Sequence, residues 1–166
     1  MPMPDHGITP EHVAAVTKQP ATEEQIDRAV ASVRSLCGWH VWPTRTETLR
    51  LDTAGDTLRT LPTLRVEDIT AVRIRGTPTT AYTWSTDGLL QLPRHRAGLG
   101  ALEVEIRHGY DRPADLIGVV VQMIGRAARP AEQMQVGGIS VGAAQGVTPQ
   151  SSEWRVLGGY ELGAEP

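Results

Sequence analysis

The sequence predicts an α+β fold. It has a helical core with helices at about residues 9–18, 22–37 and 113–128, an antiparallel β region inserted at about 39–110, and an extended C-terminal tail. Three observations predict it. Leu102, Val104 and Ile106 alternate with Glu103, Glu105 and Arg107, the period of a half-buried strand. Ten residues later Leu116, Val119, Val120, Met123, Ile124 and Ala127 recur at helical spacing, so the period changes within the His108–Leu116 stretch. After Arg129-Pro130 the chain turns glycine-rich and loses any helical stripe.

In chain order, residues 1–8 hold two prolines and no periodicity, and are expected to be mobile or held by a partner. Thr9-Pro10-Glu11 reads as an N-cap, a proline at the first helical position and a first-turn acid, opening a short helix that Gln19-Pro20 ends. Thr22-Glu23-Glu24-Gln25 is a capping box. Behind it Ile26, Ala29, Val30, Val33, Leu36 and Cys37 form an apolar stripe, and Gly38 supplies a left-handed cap. This helix is the natural partner of the one at 113–128, where Pro113 and Asp115 mark the first turn.

Between them seven strands are expected: 39–44, 47–52, 57–61, 66–75, 81–85, 89–92 and 102–108. Turns are expected at 53–56, 75–78 and 85–88. Val72 and Ile74 share one face and Ala71, Arg73 and Arg75 the other, as in a sheet wet on one side. Pro93–Gly100, with Arg94, His95 and Arg96, reads as an exposed loop whose tip is the best local candidate for a contact. Residues 1–129 are thus expected to form one domain and 130–166 a tail that docks on a partner. The tail is glycine-rich yet carries Trp154, Val156, Leu157, Tyr160 and Leu162, too apolar for a solvated linker.

Composition narrows the function classes. A net charge of −3 argues against a protein that grips nucleic acid through phosphates, which requires a basic face. Residues 1–38 carry about −2, 39–129 about +2 and the rest about −3. The single Cys37 allows no internal disulfide, and Met1–Thr9 lacks the basic start and apolar run of a secretory segment, so a cytoplasm-like setting is expected. No apolar run approaches the ~20 residues that cross a bilayer, so no membrane partner is expected. With 166 residues but four tryptophans, three tyrosines and no phenylalanine, the core is aromatic-poor.

Chemistry-bearing constellations are incomplete. Cys37-Gly38-Trp39-His40 has the spacing of half a zinc site, but His95 and His108 supply no second pair. His108, Asp111 and Asp115 lie close in sequence without a nucleophile or oxyanion site. No glycine pattern matches a phosphate loop or a dinucleotide fingerprint. No cofactor, metal or catalytic residue is expected.

Five stretches carry a family resemblance by their order and spacing: Thr9-Pro10-Glu11-His12-Val13; Leu36-Cys37-Gly38-Trp39-His40-Val41; Leu61-Pro62-Thr63-Leu64-Arg65-Val66; Tyr82 to Leu89; and His108 to Leu116. Over about residues 9–129 the chain resembles the head-to-tail adaptors of tailed bacteriophages, the gp6-like connector group. The resemblance implies a structural virion protein of the neck, with an inserted β region on a helical core. It implies a homo-oligomeric ring, a dodecamer, assembled in the host cytoplasm beneath the portal protein. That ring meets a stopper or tail terminator and continues the channel through which genomic double-stranded DNA passes without sequence-specific binding.

By the same resemblance the segment from Gln150 to Leu162 reaches the portal, with Trp154, Val156, Leu157, Tyr160 and Leu162 as anchors. Ile26, Val30, Val33, Leu116, Val120 and Met123 are expected to pack subunits together through their helices. Glu23, Glu24 and Asp27 are expected to face the channel, where acidic walls let DNA slide. The alternatives are a small enzyme or carbohydrate-binding module on the β insertion, which requires a concave pocket with convergent polar groups, or another neck protein such as a stopper.

Overall fold

The computed structural model describes residues 5–128, the backbone of two short strands at 134–136 and 139–141, and residues 149–163. They fall into two compact units, one drawn from residues 1–37 and 113–161 and one from 38–112 together with the chain from 162 onward.

The first unit is built on helices. In α1 (Pro10–Thr17) the Thr9 hydroxyl accepts the His12 N–H at 3.2 Å, and Lys18 closes the helix in the left-handed region. In α2 (Glu23–Cys37) Thr22 and Gln25 cap each other reciprocally, at 3.2 and 2.9 Å. Helix α3 (Ala114–Ala127) buries more than the single stripe expected of it. Ile117 and Val121 are buried beside Leu116, Val119, Val120, Met123 and Ile124, because α1, α2 and a fourth helix all pack against it. Its crossing with α1 is close: a Cβ on Gly125 would lie 2.6 Å from Thr17 Cγ2.

Two expectations are corrected in this unit. Residues 5–8 are held by the protein itself: Ile8 is fully buried, and His6 accepts the Ile8 N–H on Nδ1 while its Nε2 bonds Asp27 at 2.9 Å. The tail is not wholly extended, since Ser151–Leu157 forms α4. Glu153 and Gln150 make a capping box there, with the Glu153 carboxylate taking the Gln150 N–H at 2.7 Å. Between α3 and α4, β8 (Met134–Val136) and β9 (Ile139–Val141) pair antiparallel as a sheet of their own.

The second unit is all β. Strands β1 (Arg45–Thr53), β3 (Val66–Ile74), β4 (Thr77–Thr79) and β7 (Gly98–His108) form one sheet in the order β1-β7-β3-β4. Strands β2 (Leu58–Thr60), β5 (Thr83–Trp84) and β6 (Leu89–Gln91) form a second in the order β2-β6-β5. Leu61, Val66, Ile69, Val72, Leu90, Leu92, Leu102, Val104 and Ile106 fill the core, with Leu49, Leu51, Ile74, Tyr82 and Trp84 half-buried at its margin. Charged pairs lie outside it, such as Arg50–Glu103 at 2.7 Å and Arg107–Glu67 at 2.8 Å.

The strand expectations need four corrections. Residues 39–44 are not a strand; they form an irregular segment with a cis Trp42–Pro43 bond that buries Trp42. Thr77–Thr79 is a strand rather than part of a turn, because Arg75 and Gly76 alone, at φ of 53° and 79°, make a tight hairpin loop. Strand β7 begins at Gly98, taking in the end of the expected loop. In β3 two bulges, between Val66 and Asp68 and between Ile69 and Ala71, turn Val66, Ile69 and Val72 inward at three-residue intervals.

Candidate interaction surfaces

The C-terminal helix forms the first candidate surface. Glu153 forms a two-pronged ion pair with Arg126 of α3, and Leu157 is buried against the same unit. The Tyr160 hydroxyl donates to Asp115 at 2.7 Å. Held this way, the helix leaves Trp154 44% exposed. Of the five residues expected to dock on a partner, Trp154 is therefore presented outward, Val156, Tyr160 and Leu162 are half-buried, and Leu157 is committed to the protomer's own core. The overlooked signal is Gln150-x-x-Glu153 followed by Leu157 and Tyr160 at helical spacing.

The six helix residues expected to join subunits lie elsewhere. Ile26, Val30, Val33, Leu116, Val120 and Met123 are all buried inside a single copy, where α2 and α3 pack against each other. Their stripes are covered by each other, so they offer no surface to a second copy. Glu23, Glu24 and Asp27 do lie on the exposed face of α2. Glu24 pairs with Arg28 one turn on, and Asp27 with His6.

In the β unit the Arg94-His95-Arg96 stretch is fixed at its centre. His95 bonds the Thr53 hydroxyl at 2.7 Å and the Pro93 carbonyl at 2.8 Å, leaving Arg94 and Arg96 exposed. Leu99, next along, is 90% exposed. An open cleft of about 620 Å³ lies along Thr70–Val72 and Pro78–Thr80, with Tyr82 and Trp84. Three of its hydroxyls are spent on the protein: Tyr82 donates to the Ile69 carbonyl, Thr70 to the Glu105 carbonyl and Thr83 to the Gln91 side chain. A sugar or substrate site needs such groups convergent and free, and these three are committed elsewhere.

Members of the incomplete constellations have other partners or are buried. Cys37 is buried, and burial together with Glu161 pushes its thiol up to about 11. His108 bonds Glu47 at 2.8 Å, and Asp115 bonds Tyr160. Among the described residues no group of three or more His, Cys, Asp or Glu is placed to hold a metal ion. Among the described residues no helix is long and apolar enough to cross a membrane.

No family model matches this sequence, and no curated protein does. Solved structures do share the fold. A chain in the neck of a native GTA particle, computed with C12 symmetry, superposes with a TM-score of 0.55 at 20% identity, over 86% of this chain and 85% of its own. One in the neck of an empty GTA particle, computed with C6 symmetry, gives 0.54 at 18%, over 86% and 80%. A chain of the virion of a native gene transfer agent particle gives 0.53 at 16%, over 88% and 81%. At these identities the likeness is one of fold.

Proposed function

We propose that this chain is a structural subunit of a particle neck, a head-to-tail adaptor that assembles as a closed ring between the portal and the stopper or tail. The observation that carries the reading is the shared fold: 86% of the chain superposes on chains solved in the necks of gene transfer agent particles. The C12 symmetry of one of those necks supports a ring of twelve copies. A ring of identical chains needs two different complementary faces on each. Here they must be sought outside the α2–α3 stripes, which are already covered. Double-stranded DNA passes through the ring without sequence-specific contact, and the exposed acids Glu23, Glu24 and Asp27 suit a wall that does not hold phosphates.

Portal attachment falls to the C-terminal segment, with Trp154 as its exposed anchor and Val156, Tyr160 and Leu162 around it. Removing residues 150–166 would be a poor test, because Glu153 and Leu157 also hold the helical unit together. Trp154→Ala is cleaner. The purified chain is weighed by native mass measurement, alone and with portal. The wild type is expected to form rings or portal-bound rings, and Trp154→Ala to keep its melting temperature while binding portal at least ~10-fold more weakly, since a buried aromatic anchor is worth 2 kcal/mol or more. A wild type that stays a monomer and ignores portal refutes the adaptor.

A further inference from the structure

We propose that the β8–β9 hairpin of one copy adds to the edge of a neighbouring copy's four-stranded sheet along β1, and that this strand addition joins successive subunits. The proposal rests on the ring reading above and supplies its missing contact. The hairpin pairs Met134 with Val141, Gln135 with Ser140 and Val136 with Ile139, and no third strand joins it among the described residues. A lone two-stranded hairpin is marginal in water, and its outer edges present backbone donors and acceptors that want a partner. With two residues in the connection, the flanking pair Val136 and Ile139 exchange hydrogen bonds with each other. Gln135 and Ser140 therefore aim their backbone N–H and C=O outward.

The receiving edge is chosen by elimination. The sheet ends on one side at β4, three residues long with Pro78 in its middle, which is how proteins blunt an edge. On the other side it ends at β1, nine residues without proline, paired among the described residues with β7 alone. The one inward acid of that strand, Glu47, is engaged by His108 and Arg45. Leu49 and Leu51 pack against the core from this strand and remain half-buried. Both partners alternate with period two. In sequence the hairpin alternates Val136, Ile139 and Val141 with Gln135 and Ser140, and β1 alternates Leu49 and Leu51 with Thr48 and Arg50, so the two patterns are compatible in register.

The hairpin and the β1 edge are different surfaces, so the contact is heterologous and propagates around a ring rather than closing a dimer. Six residues separate Ala127 from Met134 and nine separate Val141 from Ser151, tethers of up to about 20 and 30 Å.

The test uses the full chain. Cysteine at Thr48 is combined in turn with cysteine at Gln135 and at Ser140, and the assembled protein is mildly oxidised; native Cys37 is buried and stays silent. A ladder of cross-linked oligomers is expected, absent from each single variant. In parallel, Gln135→Pro with Ser140→Pro removes the outward donors and fixes φ at those two positions, leaving the N–H groups of the Val136–Ile139 pair in place. It should leave the melting temperature unchanged and raise the concentration needed for half-assembly at least tenfold. Rings that form without a ladder, a disulfide within one chain, or proline variants that assemble like the wild type overturn the hairpin contact and leave the ring intact. A wild type monomeric at every concentration, with and without portal, overturns both.

Discussion

Arg126 and Glu153 meet through two parallel hydrogen bonds, Nη1 to Oε1 at 2.5 Å and Nη2 to Oε2 at 2.7 Å, with only 18% and 10% of their side chains exposed. They are 27 positions apart, and they tie the C-terminal helix to the central helix of the same unit. Burial alone would raise the Glu153 carboxyl, but the Arg126 fork and the Gln150 N–H outweigh it and hold it below the ordinary carboxylate value. The contribution is therefore present above the unfolded value, near pH 4.3, and is lost as pH falls through the lower folded one.

Glu153→Gln should weaken this tie at neutral pH by about 1–3 kcal/mol, because it leaves a largely buried guanidinium without its counter-charge. Local opening of the helix then becomes easier, and hydrogen exchange of amides 151–160 should rise roughly 5- to 100-fold while the β unit is unaffected. The wild type should show the same release on acidification below about pH 4. Unchanged exchange in the variant would mean the pair is incidental.

The helical unit could be read because its signals are local. Thr9-Pro10, the Thr22–Gln25 box and Pro113 with Asp115 each act within one turn, and the structure places helices behind all three. The tail helix was equally local, but the glycines around Gln150–Glu153 mask a box with only seven residues behind it. The β unit was harder because its register depends on partners far away. Nothing near Ile69 announces the bulge beside it, which exists to match β7 some 35 residues on. As for the site, the exposure of Trp154 and of the α2 acids followed from the sequence, whereas the packing of Leu157 into its own unit is a tertiary outcome.

Two glycines on α3 should respond oppositely to alanine. At Gly118 an added Cβ meets nothing within 4 Å, so the gain in helix propensity, up to about 1 kcal/mol, should raise the melting temperature by about 2–4 °C. At Gly125 the same methyl would lie 2.6 Å from Thr17 Cγ2 and 2.8 Å from its Cβ. Thr17 cannot swing away without breaking its hydroxyl bond to the Val13 carbonyl at 2.8 Å. Overpacking of that kind costs about 1–3 kcal/mol. Gly125→Ala should melt several degrees lower, and adding Thr17→Gly should recover part of the loss. A pair of additive effects would mean that the helices do not meet there.

His108 predicts a second, separate pH dependence, in the β unit. Its side chain is 2% exposed, with Trp39 and His40 rings about 6 Å from its own. Nε2 bonds Glu47 while Nδ1 has no hydrogen-bond partner. Burial pushes the imidazole below its usual value; the Glu47 charge and hydrogen bond pull the other way without cancelling it, and Arg45 adds to the lowering. A neutral ring inside and a titrating one outside mean that the unfolded chain takes up its proton first. Stability is thus complete above the unfolded value near 6.5 and is lost as pH falls toward the folded one, by at most about 1.4 kcal/mol per pH unit for a single proton. Melting temperature should be flat from pH 8 to 7 and decline below about 6.5. His108→Gln, which can still donate to Glu47, should remove that decline between pH 6.5 and 5 while leaving the acid-side loss from Glu153. If the variant and the wild type track each other through this window, the ring is not held neutral by its surroundings.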